Sequence, residues 1–146
     1  MSRSGYVEEG DCENPSYLLW PSIVRRTING KRGQEFLSEL LSTLDAMPVK
    51  ELIAAELQDD TGAVCAIGSV GARRGVDMSK LDPEDPDGIA KAFKISPTLV
   101  REIEFANDDD FAWKAESETP EQRWTRVRAW VASQIRSAQP QEVPHD

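Results

Sequence analysis

The chain has 146 residues, of which 39% are hydrophobic and 29% charged, a balance typical of an ordinary single-domain protein and not of a disordered chain. Its formal net charge of −9 repels nucleic acid and anionic membranes at long range, and it favours a protein partner with a basic surface. The longest uncharged run, residues 61–72, is too short to cross a bilayer as a helix, and no apolar signal core follows the N-terminus. We therefore expect a cytoplasmic protein without a membrane anchor.

Helical spacing of apolar residues predicts a mainly α fold, a compact multi-helix single domain over residues 15–136. Residues 1–14 are expected to be poorly ordered, and the Pro-rich residues 137–146 are expected to form a disordered tail.

The first helical pattern stops at Asn29, and Pro21 inside it marks either the start of the helix or a kink. A second helix is predicted from Gly33 to Met47. Residues 30–33 lie between the two and form a basic corner, which we interpret as a solvated helix junction.

Residues 49–58 are ambiguous, and a short hairpin or strand is as consistent with them as a helix. The apolar, glycine-containing segment after Gly62 is predicted to form a central helix from Val64 to Ala72. Gly68 and Gly71 disfavour a helix relative to alanine, so we expect a neighbouring backbone to pack against them.

Acidic residues cluster in three places, at 82–87, 108–110 and 116–121. The candidate partner-binding groups are Asp82, Glu84, Asp85 and Asp87 in the first cluster, and Asp109 and Asp110 in the second. Solvated loops and helix N-termini are the simpler interpretation, because carboxylates suit the helix dipole. Mimicry of a polyanion is the alternative.

Residues 88–106 have the spacing of a helix-turn-helix, with Ile95 buried in the turn and Ser96 capping the second helix. Because Glu102 and Glu104 oppose Arg101 on that helix, packing is favoured over DNA reading, and we expect no duplex DNA binding. A final helix starts at Thr119 with a capping box, and its arginines are expected at the surface.

No catalytic, metal or cofactor motif is present in the sequence. The single histidine, His145, is next to last in the tail, so Cys65 has no credible base and is interpreted as a buried apolar residue. Asn107 and Asp108 are expected at the end of a helix, where one of them accepts hydrogen bonds from the N–H groups of residues 63–66. Cys65, Gly68, Asn107 and Asp108 are thus predicted to form a structural link in the core.

Several short motifs occur in an order that resembles a family of small uncharacterised proteins encoded by tailed phages and prophages. They are Gly-Lys-Arg-Gly-Gln at 30–34 with Phe-Leu at 36–37, Val-Cys-Ala-Ile-Gly at 64–68, Asn107-Asp108, Thr-Pro-Glu at 119–121 and Trp130-Val131. The resemblance covers roughly residues 4–136 and implies no activity or catalytic residue. It implies a bacterial cytoplasm, where small acidic proteins often bind host machinery.

The sequence therefore favours a non-enzymatic phage or prophage protein that binds a host protein and inhibits a defence or nucleic-acid-handling complex. Two alternatives stay open: a helix-turn-helix DNA-binding regulator using residues 88–106, and an enzyme using Cys65 with Asn107 and Asp108.

Overall fold

A computed structural model of the chain describes residues 15–109 and 118–136, with the side chains of 15–20 and 109 outside that description. The described residues form six α-helices: α1 (Pro15–Asn29), α2 (Lys31–Ala46), α3 (Ala66–Arg74), α4 (Pro86–Phe93), α5 (Pro97–Glu104) and α6 (Pro120–Gln134). A 3₁₀ turn (Met78–Lys80) precedes α4, and a π-helical turn (Phe105–Asp109) follows α5. The predicted mainly α fold is confirmed, whereas the predictions for residues 1–14 and 137–146 concern residues outside the description.

The first two helices are joined almost without a loop. Helix α1 continues through Pro21, so the alternative in which the helix starts at Pro21 is wrong, and α2 begins at Lys31 rather than at Gly33. Gly33 is required by the corner, because a Cβ at this position would lie 2.2 Å from the carbonyl oxygen of Thr27. The Gln34 side chain then donates to the carbonyl oxygens of Ile28 (2.8 Å) and Gln134 (2.9 Å), which ties the end of α1 to the end of α6.

Residues 49–58 are neither a helix nor a strand. Within the described part of the chain, the strand alternative appears only as a single antiparallel bridge between Gln58 and Val64. The Ile53 N–H donates to the carbonyl oxygen of Val64 (2.9 Å), and Asp59 organises the intervening turn by accepting from Thr61 N–H (2.9 Å). Because Val64 is held extended by these bonds, α3 begins two residues later than the sequence pattern predicts.

Helix α3 lies at the centre of the fold, with its first six residues buried. A Cβ on Gly68 would lie 1.9 Å from the carbonyl oxygen of Leu57, and one on Gly71 would lie 2.7 Å from the sulfur of Met78. Gly68 therefore permits the close backbone approach that the sequence predicted, whereas the prediction is wrong for Gly71, which faces the side chains of Met78 and Phe93. The helix ends at Gly75, whose φ of 81° is the left-handed conformation that glycine adopts without strain.

Buried side chains of α2 to α6 form one hydrophobic core around α3. The edge-to-face pair of Phe36 and Phe93, with ring centroids 6.4 Å apart, joins α2 to α4. Helix α6 starts with the predicted capping box of Thr119 and Gln122, and its Val127 is fully buried. None of the helices in the described ranges has both the length and the apolar character needed to span a membrane.

Candidate functional site

Three of the four predicted link residues meet where α3 starts: Cys65, Gly68 and Asn107. The side-chain oxygen of Asn107 accepts a hydrogen bond from the Ala66 N–H (3.0 Å), so the predicted bond to residues 63–66 is present. The Asn107 amide donates to the carbonyl oxygen of Ile53 (2.9 Å) and to Asp108 Oδ1 (2.6 Å). Asp108 in turn accepts from the N–H of Ala55 (3.2 Å). We call this set of contacts the Asn107 link.

Cys65 has a role that the sequence analysis missed. It is the N-cap residue of α3, and its Sγ accepts from the Gly68 N–H at 3.4 Å. Cys65 takes this position because the helix starts at Ala66 and not at Val64 as the sequence pattern predicts. The thiol is only 1% exposed, and such burial keeps it from substrates.

Two arginines of α6 and one glutamate complete the surroundings of Asn107. Arg123 Nε donates to the Asn107 carbonyl oxygen (3.1 Å), and Arg126 donates to the carbonyl oxygens of Ala106 and Asn107. Glu118 pairs with Arg126 (2.6 Å) and with Arg123 (3.4 Å). Cations suit the carbonyl end of a helical segment, here the π-helical turn.

The prediction that the α6 arginines lie at the surface is wrong for Arg123, which is 6% exposed. The Arg126 hydrogen bond holds the pKa of the Glu118 carboxyl below its ordinary value, against the opposing effect of burial. Glu118 therefore stays ionised and balances the positive charge of both arginines. The spacing of Arg123 from the apolar residues Val127 and Val131, four and eight positions further on, was the available signal that it faces inward.

The side chains of the enzyme alternative, Cys65 and Asn107, are already engaged in contacts with the backbone of the core. The Asn107 side chain is engaged with backbone groups on two segments, and the thiol of Cys65 caps a helix inside the core. No three His, Cys, Asp or Glu side chains of the described residues come together as a metal site requires. What these groups can do is fix the position of α3 relative to α5 and α6.

The first acidic cluster lies on the surface between the 3₁₀ turn and α4. Asp82 accepts from the Glu84 N–H (2.8 Å), and Asp85 caps α4 by accepting from the Gly88 N–H (3.2 Å). Glu84 and Asp87 are exposed and take part in no ion pair within the described residues. The Asp109 side chain and Asp110 lie outside the description, so the second cluster is not placed.

The helix-turn-helix geometry is present between α4 and α5. Ser96 accepts from the Leu99 N–H (3.1 Å), and Ile95 is buried as predicted, together with Val100 and Ile103. However, α5 packs against α1, α3 and α4, and no residue of it beyond Pro97 is exposed. A recognition helix needs a free face that enters the major groove.

A basic cleft of about 350 Å³ lies at the corner between α1 and α2, opposite the start of α5. Its cations are Arg26, Lys31 and Arg32, and all three side chains are exposed. The sequence predicts only a solvated helix junction at this corner, without a cleft. Its concave shape was not foreseeable, because the opposite wall comes from residues more than 60 positions away.

Comparison with known proteins finds no matching family model, no matching curated protein and no matching solved structure for this chain.

Proposed function

We propose that the chain is a non-enzymatic protein, encoded by a phage or prophage, that binds a host protein with a basic surface through the acidic segment 82–87. The site of action is the bacterial cytoplasm. In this proposal the exposed carboxylates imitate a polyanion, and their binding inhibits a host defence or nucleic-acid-handling complex.

One observation carries the proposal: the carboxylates of this protein divide into paired and unpaired groups. Glu39 pairs with Arg74 (2.6 Å) and Asp45 with Arg128 (2.7 Å), and in each case the arginine hydrogen bond lowers the pKa of the carboxyl. In segment 82–87, Asp82 and Asp85 accept hydrogen bonds from nearby backbone N–H groups. Glu84 and Asp87 are exposed, and no cation among the described residues pairs with either. Such charges are available to a basic partner.

The buried state of the Asn107 link supports a binding role over an enzymatic one. Catalytic groups must reach a bound substrate at hydrogen-bond distance. Cys65 and Asn107 are each 1% exposed, and both contact backbone groups of the core instead.

The proposal is tested by capture of host proteins from a bacterial lysate on the immobilised protein, followed by mass spectrometry. The variant Glu84→Lys with Asp87→Lys reverses the two unpaired charges while leaving the Asp82 and Asp85 caps in place. The matched control is Glu56→Lys with Glu121→Lys. It makes the same change in net charge, also at one exposed residue outside a helix and one in the first turn of a helix.

Wild type and control should capture the same host protein, and the Glu84/Asp87 variant should lose it. Added salt should weaken the capture, because exposed charges are screened. Retention by the Glu84/Asp87 variant, or an equal loss in the control, would contradict the assignment of the surface.

The DNA-binding regulator is the second candidate, supported only by the α4–α5 geometry. A gel-shift assay with duplex DNA at physiological salt separates the two. We expect no appreciable binding, because the chain carries a net charge of −9 and α5 is covered by neighbouring helices. Micromolar, salt-sensitive binding that Arg101→Ala abolishes would favour the regulator instead.

A further inference from the structure

The basic cleft has walls from two parts of the chain. One wall is the corner between α1 and α2, and the other is the turn before α5 together with its first residues. The lining residues are Arg26, Thr27, Gly30, Lys31, Arg32, Gly33, Ile95, Ser96 and Leu99. A volume of about 350 Å³ is at the small end of the range found for small-molecule sites, so the cleft suits a compact ligand.

Its three cations differ from the arginines elsewhere in the fold. Within the described residues, ion pairs engage Arg74, Arg123, Arg126 and Arg128. No such pair engages Arg26, Lys31 or Arg32, although the chain as a whole has nine more acidic than basic residues. Three like charges beside one cleft repel one another, and an anion placed between them removes that repulsion.

The chemistry of the lining favours phosphate groups. Arg26 and Arg32 carry planar guanidinium groups that match two oxygens of a phosphate at once, and Lys31 adds a mobile point charge. The N-cap residue of α2 is Gly30, so no side chain caps this helix. The positive end of the helix dipole therefore adds to the attraction of the cleft for an anion.

The opposite wall adds an apolar contact. Ile95 and Leu99 line the cleft but are 9% and 1% exposed in total, so only a small part of either faces the open space. An organic group attached to the phosphates can rest on this edge.

We propose that the basic cleft binds a small organic diphosphate, with the two phosphates between Arg26, Lys31 and Arg32 and the organic group against the exposed edge of Ile95. The site is separate from the acidic segment 82–87, and the proposal does not depend on the host-binding function.

The test is a titration of the full chain followed by backbone amide spectra, with inorganic pyrophosphate, a nucleoside diphosphate and sulfate as three separate probes. Pyrophosphate and the nucleoside diphosphate should give saturable shifts at residues 26–33 and 95–99, and the nucleoside diphosphate should bind more tightly. Sulfate should bind more weakly than either, because it carries less charge.

Variants identify the cations. Arg26→Gln or Arg32→Gln should weaken diphosphate binding by about tenfold, as expected for the loss of one charged hydrogen-bond donor. Arg25→Gln is the matched control: it is the neighbouring exposed arginine on α1, it does not line the cleft, and it should change the affinity by less than about twofold.

Each other outcome would overturn the proposal. No saturable shift at these residues would mean that the cleft is not a binding site. An equal loss in Arg25→Gln, or sulfate binding as tight as diphosphate, would show only general attraction of anions. Binding of an oligonucleotide with no binding of either diphosphate would mean that the patch serves a nucleic-acid backbone.

Discussion

The Asn107 link and the basic cleft are both polar, yet their side chains are used in opposite ways. In the link, Asn107 and Arg123 are buried and hydrogen-bonded to backbone groups of distant segments. In the cleft, Arg26 and Arg32 are exposed and take no part in the ion pairs of the described residues. A buried polar group must be satisfied or it destabilises the fold, whereas an exposed cation has no such requirement.

This difference separates the residues that stabilise the fold from the exposed residues to which we assign a binding role. Substitutions in and around the Asn107 link should lower stability. They should weaken binding at the surface only because less of the protein is folded. Substitutions of the exposed cations of the cleft (Arg26, Lys31 and Arg32), or of Glu84 and Asp87 in segment 82–87, should change binding at constant stability.

The largest effect on stability is expected at Gly68, where α3 contacts the backbone of Leu57. In Gly68→Leu, the Cβ alone would stand 1.9 Å from that carbonyl oxygen, and backbone cannot swing aside as a flexible side chain can. We expect a loss of about 3 kcal/mol or more in the free energy of unfolding, measured by chemical denaturation. Ala72→Leu is the control, since it adds a leucine at an exposed position of the same helix. An unchanged midpoint for Gly68→Leu would disprove the close approach.

Asn107→Ala should come next. It leaves the Ala66 N–H and the Ile53 carbonyl without their partner in a buried place, and we expect a loss of about 2–3 kcal/mol. Asp108→Ala should lose only about 1 kcal/mol, because its backbone donor Ala55 is exposed. Equal effects of the two substitutions in thermal melts would mean that the link is not centred on Asn107.

The ion pairs around the link predict a pH dependence. Glu118→Gln should lower stability by about 2 kcal/mol at neutral pH, because Arg123 and Arg126 lose a charged partner. Since the folded-state pKa of Glu118 lies below its ordinary value of 4.5, this stabilisation is fully present above pH 4.5. It is lost as the pH falls through the lower folded-state pKa. Denaturation of both proteins across this range should show the difference shrinking with acid, and a difference that grows would contradict the assigned direction.

The smallest effect on stability is expected in the cleft. Arg32→Gln removes an exposed charge without an ion pair, so the free energy of unfolding should change by no more than about 0.5 kcal/mol. Relief of repulsion with Lys31 and Arg26 should make the change neutral or slightly favourable. A clear loss in a thermal melt would show that Arg32 has a structural role.

Local signals account for much of what the sequence analysis predicted correctly. The capping box at Thr119 and the Ser96 cap are visible within four residues of sequence, and both are present. Gly68 was identified by its poor helix propensity inside an apolar run, and the structure supplies the backbone neighbour.

The errors concern long-range contacts. The start of α3 was misplaced because the bond from Ile53 to Val64, which keeps Val64 extended, joins residues that a local pattern cannot relate. Arg123 was placed at the surface because charge alone suggests exposure, while its acceptors on Asn107 and Leu52 come from other parts of the fold. The basic cleft forms only when the start of α5 packs opposite the α1–α2 corner, so its concave shape could not be predicted from local sequence either.

In the structure, Cys65 and Asn107 are enclosed in the core, and we propose that the protein acts through its surface. The reactivity of Cys65 tests this most directly, in a Cys12→Ser background that leaves a single thiol. We predict that a thiol reagent labels Cys65 only as the protein opens, at a rate that rises with denaturant and is raised by Asn107→Ala. Rapid labelling of the folded protein without denaturant would reveal an accessible thiol and contradict the account.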